Sequence, residues 1–292
     1  MIIGHISDIH WLDTTGARWT DFLNKRLTGG LNLLLGRAKT HTKEAAQCAL
    51  ETLKSAGCDH LIITGDLSNL ALPAECNSVN QVIHRFFDDA RLTIVPGNHD
   101  FYTYESFKAH RFEKLIYQPG NFDVGITRRW PFVNIVGDIA IIGLNSARPR
   151  PWFVAGGILG SEQLNDLQKI LKRSEVSSRF KIIALHHNLF QVVTAPGECF
   201  RNLRERKELI EIAQANHVDL IVHGHDHDYV YQKLGDTLVA EAGSCSVCRF
   251  KADNRAGKFN RYFIEDRQLI KTETWRYEDG KYTLWKTMNN EQ

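Results

Sequence analysis

The first hundred residues alternate short apolar runs with amphipathic stretches, and this alternation limits the possible folds more than any other feature of the chain. Apolar runs at Ile2–Ser7, His60–Thr64 and Leu92–Val95 predict buried strands. The intervening stretches Lys43–Ala56 and Pro73–Asp88 place apolar residues at helical spacing and predict helices. This strand–helix–strand–helix–strand succession predicts parallel strands with right-handed crossovers, whose carboxyl ends lie together at one edge of a sheet.

The rest of the chain predicts further strands and helices. Strand-like alternation of side chains in Val133–Val136 and Ile139–Leu144, with the turn Gly137-Asp138 between them, predicts a hairpin. Residues 101–129 predict a helix and then a loop. Single strands are predicted at Phe180–Leu185 and Val218–Val222, and helices at Ser161–Leu171 and Asn202–Asn216. Three late runs predict a second, mostly antiparallel sheet packed against the first: Thr237–Ala242, Phe259–Ile264 and Leu269–Tyr277. Since no repeat or Pro/Gly linker divides the chain, we expect one domain over 1–292.

Five predicted strands end in side chains that commonly bind metals. The segment Pro96–Asp100 follows an apolar run and places an amide, an imidazole and a carboxylate on one tight turn. An ordinary turn explains this segment equally well, but four other strand ends repeat the pattern. Because open α/β sheets bind ligands at the carboxyl ends of their strands, we interpret the set as a metal site. Its members are Asp8, His10, Asp66, Asn98, His99, His186, His225 and His227.

The types and number of these groups indicate which metals would bind. Imidazole, carboxylate and amide oxygen together suit Mn, Fe, Co, Ni or Zn, whereas calcium prefers a cage of oxygens. Seven ligands from these eight residues are already too many for one tetrahedral zinc ion. They suit two divalent ions about 3.5–4 Å apart that share one carboxylate, which is the arrangement that stabilises both the attacking and the leaving oxygen of a phosphoryl transfer.

Five motifs occur in a fixed order over roughly residues 2–245: D-x-H, G-D, G-N-H-D, a lone His and G-H-x-H. In this the chain resembles the calcineurin-like metallophosphoesterases. The resemblance implies an α/β fold, a four-layer αββα sandwich of two mixed β-sheets flanked by helices. It implies that Asp66 bridges two metals and that His99 is the catalytic histidine beside the scissile phosphate. By position, one metal would bind Asp8, His10 and His227, and the other Asn98, His186 and His225.

The layout is most similar to the compact bacterial-type phosphodiesterases of that family. The implied function is a dinuclear-metal phosphohydrolase that cleaves phosphodiester bonds, including those of cyclic nucleotides, or phosphoanhydride bonds by attack of a metal-bound hydroxide. His99 would stabilise the phosphoryl oxygens or protonate the leaving oxygen. Asp100 and Asp226 would orient imidazoles, or else act as solvent-facing caps. A metal-free scaffold with the same fold is a further hypothesis, although such relatives lose ligands and this chain has kept all of them.

Residues 11–40 form an amphipathic, locally basic insert directly after His10. One hypothesis is that its apolar side docks on the protein's own core. The other is a lipid-facing lid, as in the branch of the family that cleaves the pyrophosphate of UDP-2,3-diacylglucosamine at the membrane surface. Arg148 and Arg150, on a Pro-rich loop, are additional candidates for phosphate binding. The insert predicts one or two helices, with apolar residues at Trp19, Phe22, Leu23, Leu27, Leu31 and Leu34 and basic residues at Arg18, Lys25, Arg26, Arg37 and Lys39.

Composition argues against several classes of protein. The formal charge of +2, from 36 basic and 34 acidic residues, provides no strong field for collecting nucleic acid. No run of about 18 apolar residues predicts a membrane span, and no secretory signal pattern is present. Six scattered cysteines predict free thiols in a reducing compartment. We therefore expect a cytoplasmic protein, in peripheral contact with a membrane if residues 11–40 face lipid, that acts on a small phosphodiester, a nucleotide or a lipid-linked pyrophosphate.

Other potential ligands are predicted to lie outside the site. His187 and His223 adjoin ligand positions, but strand alternation would turn them to the opposite face. Cys245 and Cys248 have the spacing of a zinc or redox pair, but no second pair accompanies them. Six more histidines are expected to be structural or surface residues: His5, His41, His60, His84, His110 and His217.

Overall fold

The computed structural model of the protein describes residues 1–27, 40–116, 120–121, 129–152, 154–190, 201–248 and 256–290. Its strands are β1 (Ile2–Ile6), β2 (His60–Ile63), β3 (Leu92–Ile94), β4 (Phe132–Val136), β5 (Ile139–Gly143), β6 (Phe180–Ala184), β7 (Leu220–His223), β8 (Val230–Leu234), β9 (Thr237–Glu241), β10 (Lys258–Glu265), β11 (Gln268–Glu278) and β12 (Lys281–Asn289). Its helices are α1 (Lys43–Ser55), α2 (Pro73–His84), α3 (Tyr104–Lys108), α4 (Arg111–Leu115), α5 (Ser161–Leu171), α6 (Ser174–Ser177) and α7 (Arg206–Ala215). Short 3-10 turns lie at Trp19–Phe22 and Asp89–Arg91.

The first sheet contains the three parallel strands predicted at the start of the chain. Its strand order is β12-β11-β10-β1-β2-β3. β1 and β2 pair in parallel with Ile6 opposite Ile63, and β2 and β3 pair in parallel with Ile63 opposite Ile94. The carboxyl ends of the three strands therefore lie side by side, as the alternation of strands and helices predicted.

The second sheet is mixed, with strand order β4-β5-β6-β7-β9-β8. Its inner strands β5, β6, β7 and β9 are parallel, and antiparallel β4 and β8 form its edges. The predicted antiparallel second sheet was therefore wrong. Phe259–Ile264 and Leu269–Tyr277 instead lie in β10 and β11 of the first sheet, and only Thr237–Ala242 contributes to the second. The reason is that β2 satisfies one side of β1, and β10 pairs with the backbone groups on its other side.

Helices cover the outer face of each sheet. α1 and α2 bury residues such as Leu50 and Val79 against the first sheet, and α5 and α7 bury Leu167 and Ile212 against the second. A third cluster fills the space between the sheets and includes Ile62, Val95, Ile141, Ile182 and Val222. The result is the four-layer αββα sandwich with two mixed sheets, so the predicted fold class is confirmed.

Some predicted segments differ or cannot be compared. Residues 101–116 form two short helices, α3 and α4, where a single one was predicted, and β8 and β12 were not predicted. Within the insert, Trp19–Phe22 is a 3-10 turn. Its predicted positions Leu31, Leu34, Arg37 and Lys39 lie outside the described residues. In the part of the chain that the structure describes, no helix is both long and apolar enough to span a membrane.

Candidate metal centre

The loops after β1, β2, β3, β6 and β7 bring all seven predicted ligands together at the carboxyl edge of the sheets. Asp8 and His10 lie beyond the end of β1 at Ile6, so left-handed backbone and not strand alternation places their side chains. Left-handed backbone costs about 1–3 kcal/mol for such residues and persists where the surroundings impose it, often at functional sites. Five of the seven predicted ligands adopt it: Asp8 (φ 54°), His10 (φ 49°), Asp66 (φ 52°), His225 (φ 89°) and His227 (φ 60°).

Close approach of the loops fixes one oxygen of each buried carboxylate. A Cβ atom at Gly97 would lie 2.1 Å from Asp66 Oδ1, so no larger residue fits there without moving the carboxylate. Backbone amides bind these oxygens: His99 N donates to Asp66 Oδ1 at 2.7 Å, and His225 N donates to Asp8 Oδ2 at 3.1 Å. The second oxygen of each carboxylate faces the imidazoles.

Asp8, His10 and His227 form one half of the site. The Nε2 atoms of the two histidines lie 3.1 Å apart. Asp8 Oδ1 lies 3.1 Å from His227 Nε2 and 3.7 Å from His10 Nε2. Asp8 is fully buried and His10 is nearly so. Three potential ligand atoms therefore converge from the loops after β1 and β7.

Asn98, His186 and His225 form the other half. His186 Nδ1 donates to the carbonyl oxygen of Thr64 at 2.7 Å, so the lone pair of the neutral ring is on Nε2. That Nε2 lies 3.2 Å from Asn98 Oδ1 and 3.2 Å from His225 Nδ1. The ring that presents a ligand nitrogen is thus oriented by a hydrogen bond to a neighbouring backbone carbonyl.

Asp66 lies between the two halves. Its Oδ2 is 3.4 Å from His186 Nε2 and 3.9 Å from His10 Nε2. One carboxylate oxygen therefore reaches imidazoles of both halves. Nitrogen and oxygen donors in two groups that share a carboxylate fit two divalent transition-metal ions. The role of each residue as a ligand remains a prediction.

The charge of the buried carboxylates favours cations. Burial alone would raise the pKa of Asp8 and of Asp66, but His227 near the first and His186 near the second hold both pKa values below their ordinary range. Burial alone would lower the pKa of His186, but the negative charge of Asp66 raises it to about 9. Two negative charges are thus enclosed at the centre of the site, where a divalent ion would neutralise them.

His99 lies beside the site on a stacked aromatic ring. Its ring centroid is 5.0 Å from that of His10, and Tyr102 stacks on its other side at 5.1 Å with an interplanar angle of 15°. Its Nδ1 donates to the carbonyl oxygen of Asn69 at 2.6 Å, so Nε2 is the nitrogen that can gain or lose a proton. His99, His10 and Asp66 also bring one potential ligand atom each within 4.8 Å of the others.

Asp100 and Asp226 have partners other than the predicted imidazoles in the described part of the chain. Asp100 is buried and accepts hydrogen bonds from the backbone amides of Ser68 at 3.0 Å and Gly97 at 2.9 Å. It therefore joins the loops after β2 and β3, which makes it neither an imidazole acceptor nor a solvent-facing cap. Asp226 accepts a hydrogen bond from the side chain of Asn188.

Other groups hold the rings of His187 and His223. His187 Nδ1 is 2.7 Å from Ser146 Oγ, and its Nε2 is 2.9 Å from the carbonyl oxygen of Ala155. Strand alternation does not remove this ring from the neighbourhood of the site, since its centroid is 4.7 Å from that of His225. His223 is fully buried, and burial lowers its pKa to about 4.

The wall next to His99 is aromatic and basic. Lys25 Nζ lies 5.1 Å from the centroid of the Tyr102 ring and donates to the carbonyl oxygen of Arg150 at 3.3 Å. Arg148 donates to the carbonyl oxygen of Ala147 at 2.7 Å. No described residue accepts a hydrogen bond from Arg150 Nε. Of the two arginines, Arg150 is the better candidate for binding an anion.

The insert is anchored at its base and exposed beyond it. Arg26 is buried and donates to the carbonyl oxygens of Leu70 at 2.7 Å and Ala71 at 3.2 Å, and to Glu105 at 3.1 Å. Phe22 packs partly against the same region. Three apolar side chains of the insert are exposed to solvent: Trp19 (75%), Leu23 (67%) and Leu27 (60%). The structure therefore combines features of both hypotheses for residues 11–40.

The sequence did not identify His41 as part of this region. It was expected to be a structural or surface residue, but its ring centroid lies 4.8 Å from that of His10 and 5.3 Å from that of His227. His41 follows the insert and belongs to none of the five motifs, so no local pattern could have revealed it. The cysteine pair is different: Cys245 and Cys248 belong to no metal-binding group among the described residues.

The family of the chain follows from a comparison with models of protein families. The model described as "Calcineurin-like phosphoesterase" matches residues 1–229, which include every predicted ligand. The chain belongs to the calcineurin-like phosphoesterases. This confirms the resemblance drawn from the five motifs, and it makes the protein a metal-dependent phosphoesterase. Membership implies a dinuclear centre of divalent metals, which the two groups of donors around Asp66 fit.

Solved structures with this fold include proteins from distant organisms. A dimetal phosphatase from Danio rerio is 12% identical with a TM-score of 0.60, and the match covers 100% of this chain and 99% of that one. A purple acid phosphatase from yellow lupin (Lupinus luteus) seeds is 14% identical with a TM-score of 0.65, covering 99% of this chain and 53% of that one. GAP50, described as the anchor in the inner membrane complex of Plasmodium, is 14% identical with a TM-score of 0.55, covering 99% and 88%. No curated protein sequence matches this chain.

Proposed function

We propose that the protein is a dinuclear-metal phosphohydrolase that cleaves phosphodiester or phosphoanhydride bonds in small substrates, with nucleotides and cyclic nucleotides as the first substrate class. The position of Asp66 Oδ2 carries this proposal. It lies 3.4 Å from an imidazole of one half of the site and 3.9 Å from an imidazole of the other. A carboxylate shared by two ions is the arrangement that stabilises both the attacking and the leaving oxygen of a displacement at phosphorus.

The chain's own residues would bind and orient the ions. Mn, Fe, Zn, Co or Ni suit this mixture of nitrogen and oxygen donors. When bound, such ions lower the pKa of water and neutralise charge on phosphoryl oxygens. Backbone amides and the carbonyl of Thr64 hold the ligand groups in place before any metal arrives. One ion would bind Asp8, His10 and His227, the other Asn98, His186 and His225, and Asp66 would bind both.

His99 would transfer a proton to the leaving oxygen or stabilise the phosphoryl oxygens. Its Nδ1–H is engaged by the carbonyl of Asn69, so a proton donated to substrate would come from Nε2. Tyr102 stacks on the ring and limits its rotation. A general acid positioned in this way contributes about 10²–10⁴-fold to turnover.

The wall beside His99 supports a nucleotide-like substrate. The Tyr102 ring stacks on His99 and lies beneath the Lys25 ammonium, and the charge of Arg150 acts on Lys25, so this wall adds positive charge next to the site. Substrates with a second phosphate near the scissile bond, as in nucleoside diphosphate derivatives, match this positive charge.

Metal content and substrate preference test the proposal together. Protein purified without chelator should contain two divalent ions per chain, lose activity when stripped and regain it with Mn²⁺. Wild-type protein should then be assayed against cyclic nucleotides, soluble phosphodiesters and nucleoside diphosphate derivatives. A stoichiometry below one in metal-replete buffer, or activity indifferent to chelator, would overturn the dinuclear proposal. That outcome would favour a binding scaffold, the kind of role that the description of GAP50 gives for that protein.

A lipid pyrophosphatase of the UDP-2,3-diacylglucosamine type is a second candidate, which the exposed side chains of Trp19, Leu23 and Leu27 favour. A basic insert with exposed apolar residues suits the surface of an anionic membrane. Replacing all three by Ser should abolish binding to anionic vesicles and activity on an acylated nucleoside diphosphate sugar, while hydrolysis of a soluble diester continues. Leu284→Ser is the matched control, because Leu284 is 51% exposed on β12.

The same assays decide between a lipid-facing insert and an ordinary surface. If wild-type protein shows no preference for the acylated substrate over the soluble one, the lipid hypothesis fails. If the triple variant loses both activities and also unfolds at a lower temperature, the three side chains stabilise the fold and do not contact lipid.

A further inference from the structure

We propose that His41 is an additional metal ligand, which binds the ion held by Asp8, His10 and His227. This inference rests on the dinuclear centre proposed above and adds a residue that belongs to none of the five sequence motifs. It would give this ion one more imidazole from the chain than the other ion receives, and so make the two binding steps unequal.

The rings of His10, His41 and His227 lie close together, with centroids 4.8 Å, 5.1 Å and 5.3 Å apart in pairs. The His41 ring is inclined by 78° to that of His10 and by 73° to that of His227. One potential ligand atom from each of the three lies within 4.8 Å of the others. Two nitrogens bound to one ion lie up to about 4.2 Å apart, because each metal–nitrogen bond is about 2.1 Å long. The observed spacing therefore needs only a small adjustment for all three rings to bind one ion.

Hydrogen bonds select the tautomer that a metal ligand needs. The hydroxyls of Ser244 and Ser246 both donate to the carbonyl oxygen of Asp8, at 2.7 Å and 3.1 Å. With both hydroxyl protons directed to that carbonyl, the oxygens of Ser246 and Ser244, which lie 2.8 Å and 3.3 Å from His41 Nδ1, accept from that nitrogen. The neutral His41 ring therefore carries its proton on Nδ1 and its lone pair on Nε2, as in a ligand oriented by an outer hydrogen bond.

The backbone on both sides of His41 is held in place. Thr42 N donates to the carbonyl oxygen of Ser246 at 2.8 Å, and Cys248 N donates to that of Thr40 at 2.8 Å. The Thr42 side chain also accepts a hydrogen bond from Ala45 N and so caps α1. A residue fixed in this way presents its ring at a constant position. Since Ser246 contacts both His41 and the backbone of Asp8, the same hydroxyl positions two ligands of one ion.

Stepwise Co²⁺ titration of stripped protein tests the proposal without reference to activity. Wild-type protein should bind two ions with unequal affinities. His41→Ala should weaken one step, by at least the roughly 10–100-fold that loss of an outer partner causes. The visible absorption of the Co²⁺-loaded variant should be more intense than that of wild type, because this absorption grows as the coordination number falls. Added imidazole should occupy the vacated position and return the spectrum to that of wild type. His84→Ala is the matched control, since His84 is partly exposed and bonds to Asn80 and Asp89 away from the site.

Unchanged affinities and an unchanged Co²⁺ spectrum in His41→Ala would overturn the proposal, even if turnover fell. A wild-type protein that fails to bind two ions would instead overturn the dinuclear centre, so the two failures can be told apart. If His41→Ala does not fold, the Co²⁺-loaded wild-type protein still decides. Its proton spectrum should contain shifted ring N–H signals from five coordinated imidazoles, and four such signals would refute the role of His41.

Discussion

Glu75→Gln should stabilise the protein far more above pH 7 than near pH 5. Glu75 is fully buried at the start of α2, where its Oε2 accepts hydrogen bonds from the backbone amides of Leu70 at 2.9 Å and Leu72 at 3.1 Å. Burial raises the pKa of this carboxyl from 4.5 to about 7, although the two amides oppose the rise. The folded protein therefore keeps a proton that the unfolded chain loses at lower pH.

The sign and size of the effect follow from this difference. Below pH 4.5 the carboxyl is protonated in both states, so it adds no penalty to folding. As the pH rises from 4.5 through about 7, the free energy of unfolding falls, and at higher pH it is lower by about 3 kcal/mol. Glutamine resembles the protonated acid in shape and still accepts from both amides. The variant should therefore exceed wild type in stability by up to about 3 kcal/mol at pH 8.

Denaturant unfolding of metal-stripped wild type and Glu75→Gln at pH 5 and pH 8 measures the effect. The difference between the two proteins at each pH removes the contribution of every other titrating group. Glu51→Gln, on the exposed side of α1, is the matched control and should show the same small effect at both pH values. An equal stability change for Glu75→Gln at pH 5 and pH 8 would refute the assigned pKa and the burial argument behind it.

Three further predictions concern the metal centre. Asp66→Asn should remove most activity and lower metal stoichiometry while circular dichroism stays unchanged, because the shared carboxylate reaches both halves; retention of both ions would exclude the bridge. His99→Ala should keep both ions and lower kcat by about 10²–10⁴-fold, whereas loss of metal would reassign it as a ligand. Asp66 raises the pKa of His186 to about 9, and a ligand ring must be neutral. Metal binding should therefore weaken as the pH falls from 9 toward 6, and each binding event should release protons. Calorimetry in buffers of different ionisation enthalpy measures this release.

The predicted ligand positions could be read from the sequence because their signals are local. An apolar run marks a buried strand, and the residue types directly after it indicate metal chemistry. This identified Asp66 and the His225-x-His227 pair without knowledge of the fold. The backbone conformation of the ligand residues could not be predicted in the same way. Asp8 and His10 come together through left-handed turns, which depend on contacts with loops far along the chain.

The sequence alone thus determined that the first three strands are parallel, the αββα class through its family motifs, and the residues at the strand ends. Only the tertiary structure decided that β10 and β11 extend the first sheet, that Asp100 joins two loops, and that His41 lies beside His10. These features depend on pairings between distant segments, such as the hydrogen bond from His41 to Ser246, which lies 205 residues away. Such pairings satisfy buried polar groups once the sheets have packed, and neither partner carries a local pattern that predicts the other.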